Sequence, residues 1–197
     1  MISSPNRIAA MHKVPANQTV IIDGGLSDRK LDRAFRIVVV DALRPTGGGP
    51  LPVGTQRLPW STLEEADAIW LTHCSPDTPD PPIPVGKAVV RSHPRASGWI
   101  HRGQTLPIES VAGEVDVAVG IAAPERFICT LLDLGLRIRS LKVVRDHGDL
   151  GELKPGTVTT EKDAARLAPD ADVWALRLDL QTTGTEALMV AIQEHSA

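Results

Sequence analysis

Ile37-Val38-Val39-Val40-Asp41 is an unbroken β-branched run that ends on an aspartate. An earlier run of the same kind, Thr19-Val20-Ile21-Ile22-Asp23, precedes it. Neither alternates apolar with polar residues, so both predict strands covered on two faces, as in the parallel sheet of an α/β fold. Such sheets bind ligands beyond the carboxyl ends of their strands, which makes Asp23 and Asp41 candidate functional groups. Aspartate also ends strands and opens turns through its own side-chain hydrogen bonds. Spacing alone leaves both accounts open.

The same rhythm continues outward from this pair. Residues 43–60 are rich in glycine and proline and read as loop, followed by a short helix capped by Ser61 or Thr62 and a strand over Ala68–Thr72. Pro76 to Pro84 holds five prolines and predicts no regular element. Strands are expected over Lys87–Arg91, Val115–Val119, Leu136–Val144 and Asp172–Leu178. Pro124 opens a helix whose apolar face is Phe127, Ile128, Leu131, Leu132 and Leu134, and Gly135 stops it. Thr157–Thr160 leads from a strand into a helix near Glu161, and Thr185–His195 is a closing helix. The expected organisation is a parallel-sheet lobe over residues 1–75, a proline-rich crossing and linker over 76–114, and a smaller C-terminal α/β domain over 115–197.

Composition narrows the function classes. The chain has 197 residues, 42% hydrophobic and 23% charged, with a formal net charge of −3, which fits a soluble α/β protein. Apolar stretches are as short as Ile37–Val40, against about 20 residues for a spanning helix, so neither a transmembrane segment nor a secretory signal is expected. Cys74 and Cys129 are the two cysteines, too few for a disulfide framework, and they fit the reducing cytoplasm. There is no basic excess and no tyrosine, so nucleic acid is not an expected partner.

Few motifs carry chemistry on their own. No G-x-x-x-x-G-K-[ST] phosphate loop occurs: Gly86-Lys87 is followed by Ala88. The six histidines form no recognised metal spacing, and His73 and Cys74, as neighbours on a strand, would face opposite ways. Asp146-His147-Gly148 follows a strand, and a carboxylate beside an imidazole can orient it for acid–base work. Thr159-Thr160-Glu161-Lys162-Asp163 sits at a strand-to-helix junction, where Thr160 capping with Asp163 reaching back is the plainer account. Arg91 to Arg102 carries three arginines, two histidines and no acid, a patch suited to phosphates or anionic headgroups, or else a solvated loop.

Taken in order, these pieces resemble one family, tetraacyldisaccharide 4'-kinase. Val20-Ile21-Ile22-Asp23-Gly24-Gly25-Leu26, continued through Arg29-Lys30-Leu31 and Arg33, looks like that family's strand and paired-aspartate segment. Val38-Val39-Val40-Asp41-Ala42, Arg44, Gly47 to Gly49 and Leu51-Pro52-Val53-Gly54 through Arg57 resemble its glycine-rich loop and the run after it. Gly120-Ile121-Ala122-Ala123-Pro124-Glu125-Arg126-Phe127 is similar to its "GIxxPERF" segment, and Asp146-His147 and Thr159–Asp163 match its "DHH" and "TTEKD" positions.

The resemblance implies a P-loop-type kinase lobe joined to a smaller C-terminal α/β domain. It implies transfer of the γ-phosphoryl of ATP, with magnesium, to a sugar hydroxyl of the lipid A disaccharide precursor at the inner face of the inner membrane. By it, Asp23 stands near magnesium, His147 with Asp146 at the catalytic histidine, and Arg44 and Gly48 in the substrate-binding loop. The departures matter as much. Gly24 replaces the second aspartate of the pair, Asp28 the histidine after it, Gly48 the loop asparagine and Gly148 the second histidine. The phosphate loop, which stabilises transferred charge, has no counterpart. A chain inactive alone is therefore expected, completed by a partner carrying the phosphate loop or by self-association, with an exposed or partner-covered sheet edge at the Thr19–Ile22 strand. The alternatives are a non-catalytic binding or scaffold relative that holds the anionic glycolipid, and a metal-dependent hydrolase built from Asp23, Asp41 and His147.

Overall fold

The run Ile37–Asp41 forms strand β1, and it pairs in parallel with β2 (Ala68–Thr72), which pairs in parallel with β3 (Ala88–His101). In this computed structural model the described residues are 6–15, 17–24, 34–49, 52–54, 56, 58–75 and 79–196. Gly25 to Arg33, Leu51 and Arg57, which the family resemblance includes, lie outside them. The fold is α/β with a mostly parallel sheet, as the continuous apolar runs predict. Contacts group the chain into two units, residues 1–93 with 182–197 and residues 94–181.

In the first unit, alternate residues of β2 serve opposite faces, as strand geometry requires. Ile69 and Leu71 pack with Val40, Leu63 and Ala66. Ala68 packs with Val90 and with Leu188 of helix α4 (Thr185–Ser196), flanked by Trp70, Phe35 and Ile192. Two tryptophans bury their apolar bodies and satisfy their N–H groups: Trp60 Nε1 donates to Pro82 O at 3.0 Å and Trp70 Nε1 to Ser92 Oγ at 2.9 Å. A one-turn helix α1 (Arg7–Met11) is capped by Asn6, whose side chain accepts from Ala9 N.

The second unit is built on β5 (Glu114–Val119), which pairs in parallel with β6 (Arg137–Val143) on one side and β7 (Thr157–Thr160) on the other. Strand β8 (Val173–Thr183) continues the sheet in parallel beyond β7. It also runs beside β3. There Ser97 Oγ donates to Arg177 O, and His101 Nδ1 lies 3.1 Å from Val173 O. The partners run in reverse order, so this pairing is antiparallel. A short strand β4 (Gln104–Leu106) folds back on β3. Helix α2 (Pro124–Asp133) lays Phe127 and Leu131 on Val115, Val117, Val119, Val158 and Leu176, with Trp99 and Leu136 closing the core. Pro at its first position and Gly135 just past its end (φ +80) delimit it as expected. Helix α3 (Glu161–Ala164) follows β7 directly.

Four sequence expectations need correction. Residues 19–22 form no strand, and Ile21 is 94% exposed. No described segment pairs with them, and an unpaired strand has no ladder to hold it. Among the described residues the edge strand of the first unit is instead β1. Its expected two-sided cover is one-sided, with Val40 buried and Val39 65% exposed. The Ser61/Thr62-capped helix is a 3-10 helix over Trp60–Glu65, preceded by Pro59 and without a side-chain cap. Arg91 to His101 is strand rather than loop, with Ser92, Gly98 and Trp99 buried and His93, Arg95 and Ser97 exposed. Strand β3 lies within the 76–114 segment, and the division between the two units falls after its His93. Helix α4 belongs to the first unit, through Leu188 and Ile192.

Candidate functional site

In the second unit the chain leaves β6 through Val144, whose N–H still donates to Val119 O. It then turns over Arg145–Gly148. Gly148 N donates to Arg145 O at 2.7 Å, and His147 N donates to Gly120 O, just beyond β5, at 3.0 Å. His147 sits at φ +60, a left-handed conformation that costs a non-glycine residue about 1–2 kcal/mol. Its side chain is 69% exposed and its Nε2 lies 4.0 Å from Asp146 Oδ2. Lys162 Nζ donates to the other Asp146 oxygen at 2.7 Å. This ammonium, ahead of any other influence, holds the Asp146 carboxyl below its ordinary range, so Asp146 is ionised at neutral pH.

Beneath the turn lies Asp163, fully buried. Thr160 caps α3 by accepting from Asp163 N at 3.1 Å and donates its hydroxyl to Asp163 Oδ2 at 2.9 Å, as the expected cap predicts. The same Oδ2 accepts from Gly120 N at 2.9 Å. Arg166 reaches Asp163 Oδ1 at 3.4 Å and donates to His147 O at 2.8 Å and Gly148 O at 2.7 Å. The predicted residues Asp146 and His147 thus come together with Gly120, Lys162, Asp163 and Arg166 at the carboxyl ends of β5 and β7. The sequence places Lys162 and Asp163 in a capping segment and in the "TTEKD" match, with no site role of their own. Arg166 was missed, although its position one helical turn after Asp163 was a usable signal.

The other predicted residues belong to the first unit. Asp23 lies in an exposed turn. Arg44 and Gly48 are exposed in the tight turns after β1, where Arg44 N donates to Asp41 O and Gly47 N to Arg44 O, and Gly48 has φ +78. Asp41 does come together with a residue set aside in the sequence. Parallel register places Asp41 beside Thr72, so His73 follows at the same sheet end, its Nδ1 3.2 Å from Asp41 Oδ1. Burial, ahead of any other influence, pushes the neighbouring Cys74 thiol above its ordinary range. Among the described residues no group of three or more His, Cys, Asp or Glu is placed to hold a metal ion. In the basic Arg91–Arg102 segment, Arg91 pairs with Asp80, while His101 and Arg102 lie 3.4 and 3.5 Å from Asp172. His101 also stacks on Trp174, with ring centroids 4.2 Å apart.

A protein-family model described as LpxK, tetraacyldisaccharide-1-P 4'-kinase, matches residues 1–196. The chain belongs to the tetraacyldisaccharide 4'-kinase family. Among its relatives, the tetraacyldisaccharide 4'-kinase of Syntrophotalea carbinolica is 33% identical over 187 residues, covering 85% of this chain and 52% of that protein. That of Anaeromyxobacter dehalogenans is 31% identical over 175 residues, covering 76% and 46%. The chain therefore spans about half the length of these relatives. Its fold matches a crystal structure described as the "apo" form of LpxK from Aquifex aeolicus in complex with ATP, with a TM-score of 0.71 at 23% identity, over 87% of this chain and 55% of that one. Family membership accounts for the order of the motifs. No helix among the described residues is long and apolar enough to cross a membrane.

Proposed function

We propose that this chain carries the histidine-bearing part of a tetraacyldisaccharide 4'-kinase. In this reading it takes part in transferring the γ-phosphoryl of ATP to a sugar hydroxyl of the lipid A disaccharide precursor, peripherally at the inner face of the inner membrane. The observation that carries the proposal is the Asp146-His147 turn. It stands at the family's motif position, beyond the carboxyl ends of β5 and β7, with an imidazole exposed enough to meet a substrate. His147 takes up the proton of the sugar hydroxyl, and Asp146, kept ionised by Lys162, orients the imidazole. Arg44 offers an exposed guanidinium to an anionic substrate, and Gly48 leaves the loop backbone open to close approach. Asp23 is the carboxylate available to magnesium, which is commonly held by one or two carboxylates together with substrate phosphates and would neutralise charge on the ATP.

These 197 residues do not turn over ATP by themselves in this proposal, because they hold no G-x-x-x-x-G-K-[ST] loop and phosphoryl transfer depends on the charge stabilisation such a loop gives. The loop comes from further polypeptide or from a partner chain. Among the described residues β1 is an edge strand, with Ile37 and Val39 exposed, which supports such a neighbour. The test is transfer of labelled γ-phosphate from ATP to the disaccharide precursor, with and without a phosphate-loop protein. Activity only in the mixture, lost in His147→Ala, is the expected result. Activity from the chain alone refutes the dependence. Glycolipid binding without activity in either arm favours the non-catalytic relative, a reading that Gly24 and Gly148 support by replacing two family active-site residues.

A further inference from the structure

The hydrogen bonds around His147 close on themselves. Asp163 Oδ2 accepts from the Gly120 N–H, and the Gly120 carbonyl accepts from the His147 N–H. The His147 carbonyl accepts from Arg166, and Arg166 returns to Asp163 Oδ1. Gly148 O takes a second Arg166 bond, so the guanidinium holds two consecutive carbonyls of the turn. A guanidinium is suited to this, because its donors lie in one rigid plane and it remains charged at any working pH. Asp163 is fully buried and accepts from a backbone amide, a hydroxyl and a guanidinium, three of the about four bonds a carboxylate can take. This is more than a helix cap uses. A cap needs only the Thr160 bond, whereas the remaining bonds all run toward the turn.

We infer that Arg166, seated by the buried Asp163, is a positioning residue that holds His147 in its left-handed turn and so aims the imidazole out of the sheet end. The inference rests on the proposed role of His147, but the two are tested separately. A left-handed non-glycine residue persists only where its surroundings over-determine it. Here every backbone polar group of the His147 residue is committed to the ring, and the ring passes through one side chain that is replaceable without touching the core: Arg166, 35% exposed at its side chain.

The experiment is amide hydrogen exchange on the labelled chain, comparing wild type with Arg166→Met and Arg166→Lys, together with a titration of the Asp146 carboxyl. Arg166→Met is expected to speed exchange at His147 by at least about tenfold while leaving Val117 and Val119 of β5 within about twofold, the mark of local rather than global opening. The Asp146 carboxyl then titrates closer to its ordinary range, because a released turn loosens its Lys162 pair. Arg166→Lys retains the charge but not the fork, and an intermediate acceleration is expected. Equal acceleration across β5 and the turn assigns Arg166 to stability alone and overturns the inference. So does an unchanged His147 amide with an unchanged Asp146 titration. Should Arg166→Met fail to fold, Arg166→Lys decides on the same two readouts. Neither readout involves ATP, so failure of the kinase reading in the His147→Ala assay leaves this result standing.

Discussion

Gly148 stands where the family resemblance implies a second histidine, and the turn is built around its missing side chain. A Cβ placed there would lie 2.8 Å from Arg145 O, 3.0 Å from Val144 Cγ2 and 3.1 Å from Arg145 Cγ. Carbon contacts are comfortable near 3.5–4.0 Å, so Gly148→Ala must push the Arg145 carbonyl away by several tenths of an ångström. That carbonyl is the acceptor for Gly148 N–H, and the adjoining carbonyls of His147 and Gly148 are the two held by Arg166. Overpacking of this kind costs about 1–3 kcal/mol, and weakening a hydrogen bond adds up to about 1 kcal/mol. Against it, replacing glycine restricts the unfolded chain and stabilises by about 0.4–1 kcal/mol. The net expectation is a loss of about 1–2 kcal/mol, which for a unit of this size lowers Tm by about 4–15 °C. Thermal unfolding followed by circular dichroism measures it. Gly135→Ala is the control, since nothing lies within 4 Å of its Cβ and only the left-handed backbone resists the change. The two separate in hydrogen exchange: Gly148→Ala should release the His147 amide and Gly135→Ala should not. A neutral or stabilised Gly148→Ala would show that the turn is loose, and that the family histidine could return without cost to the backbone.

Leu131→Ala, at a fully buried position against β5, should cost about 2–5 kcal/mol in urea unfolding, while Leu132→Ala, 52% exposed beside it, should stay within about 0.5 kcal/mol of wild type. The Asp116 carboxyl is held far below its ordinary range, first by the Arg139 guanidinium and then by the Ser140 hydroxyl. A depressed carboxylate contributes stability above its unfolded pKa of about 4 and loses it as pH falls further. Urea midpoints of wild type should therefore drop from pH 4 downward, and those of Asp116→Asn should drop less. Thr160→Ala removes the cap of α3 and the hydroxyl on Asp163, for a loss of about 1–2 kcal/mol by chemical denaturation, and Thr160→Ser should restore most of it.

Strands β2 and β5 were readable because they are short and largely buried on both faces. Ala68–Thr72 has the bounds expected from sequence, the strand-to-helix junction falls at Glu161 as expected, and Pro124 and Gly135 marked the ends of α2. Strand β3 was readable only to Arg91. Beyond it Pro94 and Gly98 interrupt the pattern, and its outward face is polar because that side meets water, not a second layer. Thr19–Ile22 shows the converse. A run with every local mark of a strand stays outside the sheet when no neighbour supplies a ladder, so pairing, not propensity, decides.

The site divides along the same line. Asp146-His147 was visible as a polar pair after a strand, and Thr160 with Asp163 as a cap, because both are side-chain patterns at short spacing. What ties them together was not visible: two of the ring's bonds end on the carbonyls of Gly120 and His147, a further Arg166 bond ends on that of Gly148, and a backbone carbonyl leaves no trace in residue identity. One clue remained. A carboxylate has room for about four hydrogen bonds, and a cap occupies few of them. Once the junction between β7 and α3 is predicted to be buried, an aspartate there must find further donors or go unsatisfied. The nearest cation in helical register is Arg166, three residues on. Counting acceptor capacity at a buried cap, and not only recognising the cap, is what leads from the sequence to the residue that holds the histidine.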